Sequence, residues 1–138
     1  MNANRVFIDT NLLVYLYSSS EKDKAEKMVA TINHFDCVIS TQVLNEFCNV
    51  CLRKLNHAPN AVKKSLFEIQ SVCDVVKVTE NDIFYALSVH EKYGYTFYDS
   101  LIVATAMNNQ CVCLFTEDLA DGQVIFGAME IRNILAHS

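Results

Sequence analysis

The chain has 138 residues, a formal net charge of −5, 51% hydrophobic residues and 20% charged ones. That length and balance imply one domain with a real core and exclude a disordered chain. No run of lysine or arginine is present, so the overall field does not attract a phosphate-rich partner; a nucleic-acid site would need bound cations or a local basic rim.

The first strand is expected at about Arg5 to Ile8, an apolar run that ends abruptly in Asp9, Thr10 and Asn11. Asp9 is therefore either a site residue at the rim of a parallel sheet or a helix cap. Leu12, Leu13, Leu16 and Tyr17 follow at helical spacing, and Ser18 to Ser20 break that helix. Ser20-Glu21-Lys22-Asp23 resembles a capping box and opens a helix to about His34, with Ala25, Met28, Val29 and Ile32 inward. Cys37-Val38-Ile39 reads as the second strand. Ser40 or Thr41 caps a long helix from about Gln42 to Asn56, striped by Val43, Leu44, Phe47, Val50, Cys51 and Leu55, with Glu46 early on it.

After the break at Asn56 to Asn60, another helix runs from about Ala61 to Ser71. Val75 to Val78 is the third strand. Thr79-Glu80-Asn81-Asp82 is a capping box for a helix with Ile83, Ala86, Leu87 and His90 on its inner face, closed by Gly94. The stretch from Thr96 to Met107 is apolar almost all round, a buried helix whose one charge, Asp99, sits in its first turn. Cys111 to Phe115 is the fourth strand, Thr116 to Gly122 is an acidic loop, and Gly122 to Gly127 gives a turn and a short extended piece. Met129 to Ile134 alternates as an edge strand does. Strands alternating with helices predict an α/β fold with a mostly parallel four- to five-stranded sheet and helices on both faces, in one domain over 1–138.

From the polar start no signal peptide is expected, and no segment approaches the roughly 20 apolar residues of a membrane span. A cytoplasmic setting with reduced thiols is expected for the six cysteines. Cys48/Cys51 and Cys111/Cys113 have spacings that zinc sites use, but the first pair lies in a helical pattern and the second in a strand, where cysteine is an ordinary small hydrophobe.

Asp9, Glu46, Asp99 and Asp118 share one kind of position, each at or just beyond a junction on the carboxyl edge of a parallel sheet. Taken singly, each is a cap or a surface acid. Together, burial of unpaired carboxylates calls for protonation, basic partners or a hard divalent cation. No lysine or arginine neighbours them in sequence, and an all-oxygen set suits Mg²⁺ or Mn²⁺. Thr10, Asn11, Ser100 and Thr116 are candidates to hold waters or orient these acids. Glu117 and Asp121 compete with Asp118 for the last place.

Phe7-Ile8-Asp9-Thr10-Asn11, the isolated Glu46, Tyr98-Asp99-Ser100-Leu101-Ile102-Val103-Ala104-Thr105-Ala106 and Leu114-Phe115-Thr116-Glu117-Asp118-Leu119 together resemble the PIN domain, most closely single-domain VapC-type toxins. The resemblance covers essentially the whole chain. It implies a three-layer α/β/α sandwich and a Mg²⁺- or Mn²⁺-dependent ribonuclease. Asp9, Glu46, Asp99 and Asp118 would be its acidic quartet, with Thr10 or Thr116 as supporting hydroxyls. It also implies a homodimer silenced by an antitoxin, for which Leu13, Leu16, Tyr17 and Met28 are candidate groove residues. Arg5, Arg53, Lys54, Lys63 and Lys64 are candidates for a local basic rim. The other readings are a PIN-type RNA-processing nuclease without an antitoxin, a PIN domain kept only for binding, and a Mg²⁺-binding receiver-like signalling module. The last is poorly served by Val78-Thr79-Glu80 after the third strand, and Asn11 stands where a haloacid-dehalogenase-type phosphatase has its second Asp.

Overall fold

The structure is a computed structural model that describes residues 3–136. Six strands form one sheet in the order β3-β2-β1-β4-β6-β5: β1 Arg5–Ile8, β2 Asp36–Ser40, β3 Asp74–Val76, β4 Cys113–Phe115, β5 Val124–Ile125 and β6 Met129–Arg132. All neighbours pair in parallel except β5 with β6. The sheet is therefore larger than the expected four to five strands. Gln123, Val124 and Ile125 extend for too few residues to show periodicity, and pairing with β6 recruits them. This hairpin also moves the edge. Met129 to Arg132, expected there, lies between β4 and β5, and Met129 and Ile131 are fully buried. The order differs from the 2-1-3-4-5 order of receiver-type sheets.

Six helices connect the strands: α1 Thr10–Tyr15, α2 Lys22–His34, α3 Thr41–Arg53, α4 Pro59–Val72, α5 Glu80–Tyr93 and α6 Phe97–Asn108. α1 packs on α2 and α3, and α3 on α4; α5 packs on α6, which lies against β2. This is the three-layer arrangement. Its core joins Phe7, Ile8, Val38 and Leu114 of the sheet to Leu12, Met28, Phe47, Val89 and Val103 of the helices. No helix among the described residues is long and apolar enough to cross a membrane.

Local chemistry explains most helix starts. Ser40 accepts from the Val43 N–H, Thr96 from the Asp99 N–H, and Thr79 and Asp82 close the expected capping box. Gly94 ends α5 with φ +74°, a conformation that disfavours a Cβ. Two signals misled. Glu21, not Ser20, precedes α2, and it makes no side-chain cap. Pro59 begins α4 rather than belonging to the break before it, because its missing N–H is harmless at the first helical position.

The inner face of α5 also differs from expectation. Asp82, Ala86 and Val89 point inward, whereas Ile83 is 43%, Phe84 72% and Leu87 52% exposed. Asp82 is drawn in because it caps the helix through the Thr79 N–H and accepts from Asn108 Nδ2 at 2.8 Å. That rotation leaves the larger apolar stripe outside. On α2 only Met28 is fully buried, and Val29 is exposed.

Candidate active site

β1 is central and flanked by β2 and β4, so the chain leaves the sheet at three adjacent points on its carboxyl edge. Asp9 follows β1 directly. Its N–H donates to the Phe115 carbonyl at 3.0 Å, which extends the β1–β4 ladder and sets Asp9 beside the end of β4. Glu46 faces the same space from α3, Asp99 from the first turn of α6 and Asp118 from the loop after β4. With Thr10, Asn11, Asn49, Val50 and Ile102 they line one cleft of about 280 Å³.

Hydroxyls hold the acids. Thr116 donates to Asp9 Oδ2 at 2.7 Å and accepts the Asp118 N–H at 3.1 Å, so one side chain positions two carboxylates. The Thr10 N–H meets Asp9 Oδ1 at 2.7 Å, making Asp9 the cap of α1 as well as a wall of the cleft. Thr10 Oγ1 donates to Glu46 Oε1 at 2.6 Å. Asn11 is exposed at the cleft wall. Ser100 is fully buried and donates to the Tyr95 carbonyl at 3.4 Å, so it braces the start of α6 rather than an acid.

The rivals of Asp118 face elsewhere. Glu117 accepts from the Tyr15 hydroxyl at 2.5 Å and stands 4.0 Å from Lys24 Nζ. Asp121 accepts the Asn133 N–H at 2.9 Å and ties the loop to the chain after β6. Neither lines the cleft.

Electrostatics express the crowding. Asp9 is 8% exposed, and burial pushes its carboxyl up to about 6. The hydrogen bonds from Thr116 and Thr10 oppose this shift, while Asp118 and Glu46 add to it. Asp118 is also raised, by desolvation and then by Asp99 and Glu117. Asp9 and Asp118 thus resist ionising, and a cation would relieve that. Among the described residues no group of three or more Asp, Glu, His or Cys side chains is placed to hold a metal ion by itself. An all-oxygen wall of spaced acids still suits a hard divalent cation that keeps part of its water shell. Mg²⁺ keeps several waters and typically takes one or two carboxylates, with substrate phosphate completing its shell.

Sequence reasoning missed Gln42, Asn49 and Ile102. Gln42 is 8% exposed, and its Nε2 donates to Glu46 Oε2 at 3.4 Å and the Tyr98 carbonyl at 3.2 Å, bridging α3 to α6 next to Asp99. Gln42, Glu46 and Asn49 lie four and three residues apart, the spacing of one helix face, and that was the available signal.

The six cysteines are free thiols. Cys48 and Cys51 stay on α3, apart from the acid cleft. Cys37 and Cys73, at neighbouring register on β2 and before β3, are buried together, and their proximity raises the Cys37 thiol. Arg5 is at the opposite, amino edge of the sheet. It pairs with Asp36 and Asp74, at 3.3 Å each, and donates to the Asn109 carbonyl at 2.8 Å. It does not belong to a basic rim at the cleft.

A central parallel sheet with acids gathered at its carboxyl edge defines a class with known members. The PIN-domain family model matches residues 6–120, and the chain belongs to that family. Its fold is similar to VapC20 of Mycobacterium tuberculosis, a sarcin-ricin-loop-cleaving toxin. Identity is 18%, TM-score 0.66, with 82% of this chain and 91% of that one covered. A toxin–antitoxin complex from Klebsiella pneumoniae is similar at 18% identity and TM-score 0.69, covering 94% and 97%. VapBC2 from Rickettsia felis, bound to a DNA fragment from its promoter, is similar at 16% identity and TM-score 0.65, covering 93% and 97%. Among curated proteins, none matches this sequence.

Proposed function

We propose that this PIN-domain chain is a Mg²⁺- or Mn²⁺-dependent endoribonuclease that hydrolyses RNA phosphodiester bonds, and that it is the toxin of a type II toxin–antitoxin pair acting in the cytoplasm. The observation that carries the reading is the convergence of Asp9, Glu46, Asp99 and Asp118, from four separate elements, on one cleft braced by Thr10 and Thr116.

Carboxylates of this quartet would hold a divalent cation directly or through its waters, and the cation would supply charge neutralisation at the phosphate and a more acidic water. Asp9 is the fixed member: three hydrogen bonds at and beside it leave it little freedom. Thr10 and Gln42 grip the two oxygens of Glu46 from opposite sides. Glu46 or Asp118, both at the cleft wall, would take the proton from an attacking water.

An antitoxin partner is supported by the likeness to toxin–antitoxin complexes. A groove of about 300 Å³ between α1, α2 and α4 is lined by Leu16, Tyr17, Val29, Ile32, Ile69 and Val72, and suits the apolar face of such a partner. Leu13 and Met28, expected in that groove, are instead fully buried core residues. A second copy of the chain would cover the exposed α5 stripe of Ile83, Phe84 and Leu87.

The test is cleavage of single-stranded RNA with and without Mg²⁺ or Mn²⁺, alongside growth of cells expressing the chain alone or with its neighbouring reading frame. Metal-dependent cleavage and growth arrest relieved by the neighbour are expected. Cleavage without arrest would assign it to RNA processing, and metal-independent or absent cleavage would overturn the nuclease.

A further inference from the structure

The outer face of α3 changes character along its length. Glu46, Asn49 and Val50 line the acid cleft, and Asn49, Val50, Arg53 and Lys54 line a second cavity of about 310 Å³. Asn49 and Val50 are thus a shared wall, and the two cavities adjoin along α3. The spacing 46, 49, 50, 53, 54 keeps these residues on one helix face. At 1.5 Å rise per residue, Arg53 lies about 10 Å along the axis from Glu46.

Arg53 and Lys54 are exposed and have no ion pair among the described residues, whereas Arg5, Lys24 and Arg132 each face a carboxylate. In a chain of net charge −5, two unpaired cations at the end of an acid-lined cleft are a local reversal of field. Helix capping accounts for only part of this. A cation in the last turn of α3 complements the helix dipole, but that requires neither two cations nor a cavity adjoining that of the acids.

We propose that Asn49, Arg53 and Lys54 form a phosphate subsite that holds the single-stranded RNA backbone flanking the scissile bond. The proposal rests on the nuclease reading above. The Arg53 guanidinium takes two oxygens of one phosphate, the Lys54 ammonium acts as a point charge, and the Asn49 amide contacts phosphate or sugar on the way to the acids. Such interactions carry affinity and register rather than base identity. They also counter the repulsion between RNA and the quartet at the place where it is largest.

The experiment measures binding of a single-stranded RNA of about ten nucleotides to Asp99→Asn protein in Mg²⁺ across about 50 to 200 mM salt. The comparison is the same protein carrying Arg53→Gln and Lys54→Gln, and a control carrying Lys63→Gln and Lys64→Gln, two cations of α4 that line neither cavity. The slope of log affinity against log salt should fall by about 0.7 for each phosphate that the Arg53/Lys54 variant no longer neutralises, and stay unchanged in the control. With the native acids, Arg53→Gln/Lys54→Gln should raise KM for the long RNA several-fold, leave kcat unchanged, and cut a dinucleotide at the native rate. An unchanged slope, or an equal fall in the control, overturns the subsite. If the native protein cuts neither RNA, the nuclease reading fails while the slope comparison still decides the subsite.

Discussion

Thr10 donates its hydroxyl proton to Glu46 at 2.6 Å, across 36 residues of sequence. The bond joins the first turn of α1 to the second turn of α3, so Thr10, through its N–H and its hydroxyl, ties Asp9 to Glu46. Thr10→Val keeps the shape and removes the donor. We expect metal affinity or kcat to fall about 10- to 100-fold, as for other residues that orient ligands, with Tm nearly unchanged because half-buried Glu46 can take water instead. A native rate and native metal titration in Thr10→Val would show that the hydroxyl is dispensable.

Asp9→Asn and Asp99→Asn should each abolish RNA cleavage while far-UV circular dichroism stays native. Asn can still accept from the Thr10 N–H, so the cap of α1 survives in Asp9→Asn. Full activity in either variant would remove that acid from the site.

Stability should depend on pH through Asp9. Its folded pKa is raised to about 6 from 3.8, so the folded state binds the proton more tightly than the unfolded chain does. This contribution is complete below about pH 4 and is lost as pH rises through 6, roughly 3 kcal/mol in all as an order of magnitude. Metal-free protein should therefore melt progressively lower from pH 4 to 7. Asp9→Asn should flatten that dependence, and a parallel decline in the variant would place its origin elsewhere.

Metal should act in the opposite sense. At neutral pH, Mg²⁺ or Mn²⁺ should raise Tm, since it binds the ionised acids of the folded state. At pH 4 to 5, where protons compete for Asp9, the gain should shrink. EDTA should remove both this gain and the cleavage. An equal thermal shift at both pH values would argue against carboxylate ligation.

Phe84→Glu tests the second copy. Phe84 is 72% exposed, so the charge is harmless to a monomer and disruptive in an apolar interface. Light scattering should show a native dimer and a monomeric variant of unchanged Tm. A monomeric native chain would remove α5 as an interface.

The fold was legible where the chain pattern is strong. The apolar run ending at Asp9, the Thr79–Asp82 capping box and the all-apolar α6 each dictated their element. The gathering of Asp9, Glu46, Asp99 and Asp118 in one cleft was legible because each lies within about two turns of a strand end or helix start, and a parallel sheet brings such positions to one edge. What stayed hidden depends on pairing partners, near or far along the chain, that periodicity does not reveal. β5 has two residues and exists through its pairing with β6. The turning of α5 follows from the demand of Asp82 for partners, against the apolar pattern. Glu117 could be told from Asp118 only once Tyr15 and Lys24 were seen to face it.

The cleft draws on positions from Asp9 to Asp118, and its last wall hangs from β4, which slots between β1 and β6. A chain emerging from the ribosome therefore has no assembled cleft until the segment through Asp118 has been made. The order of synthesis itself delays the activity, and the groove formed by α1, α2 and α4 is complete by Val72, well before Asp118 emerges.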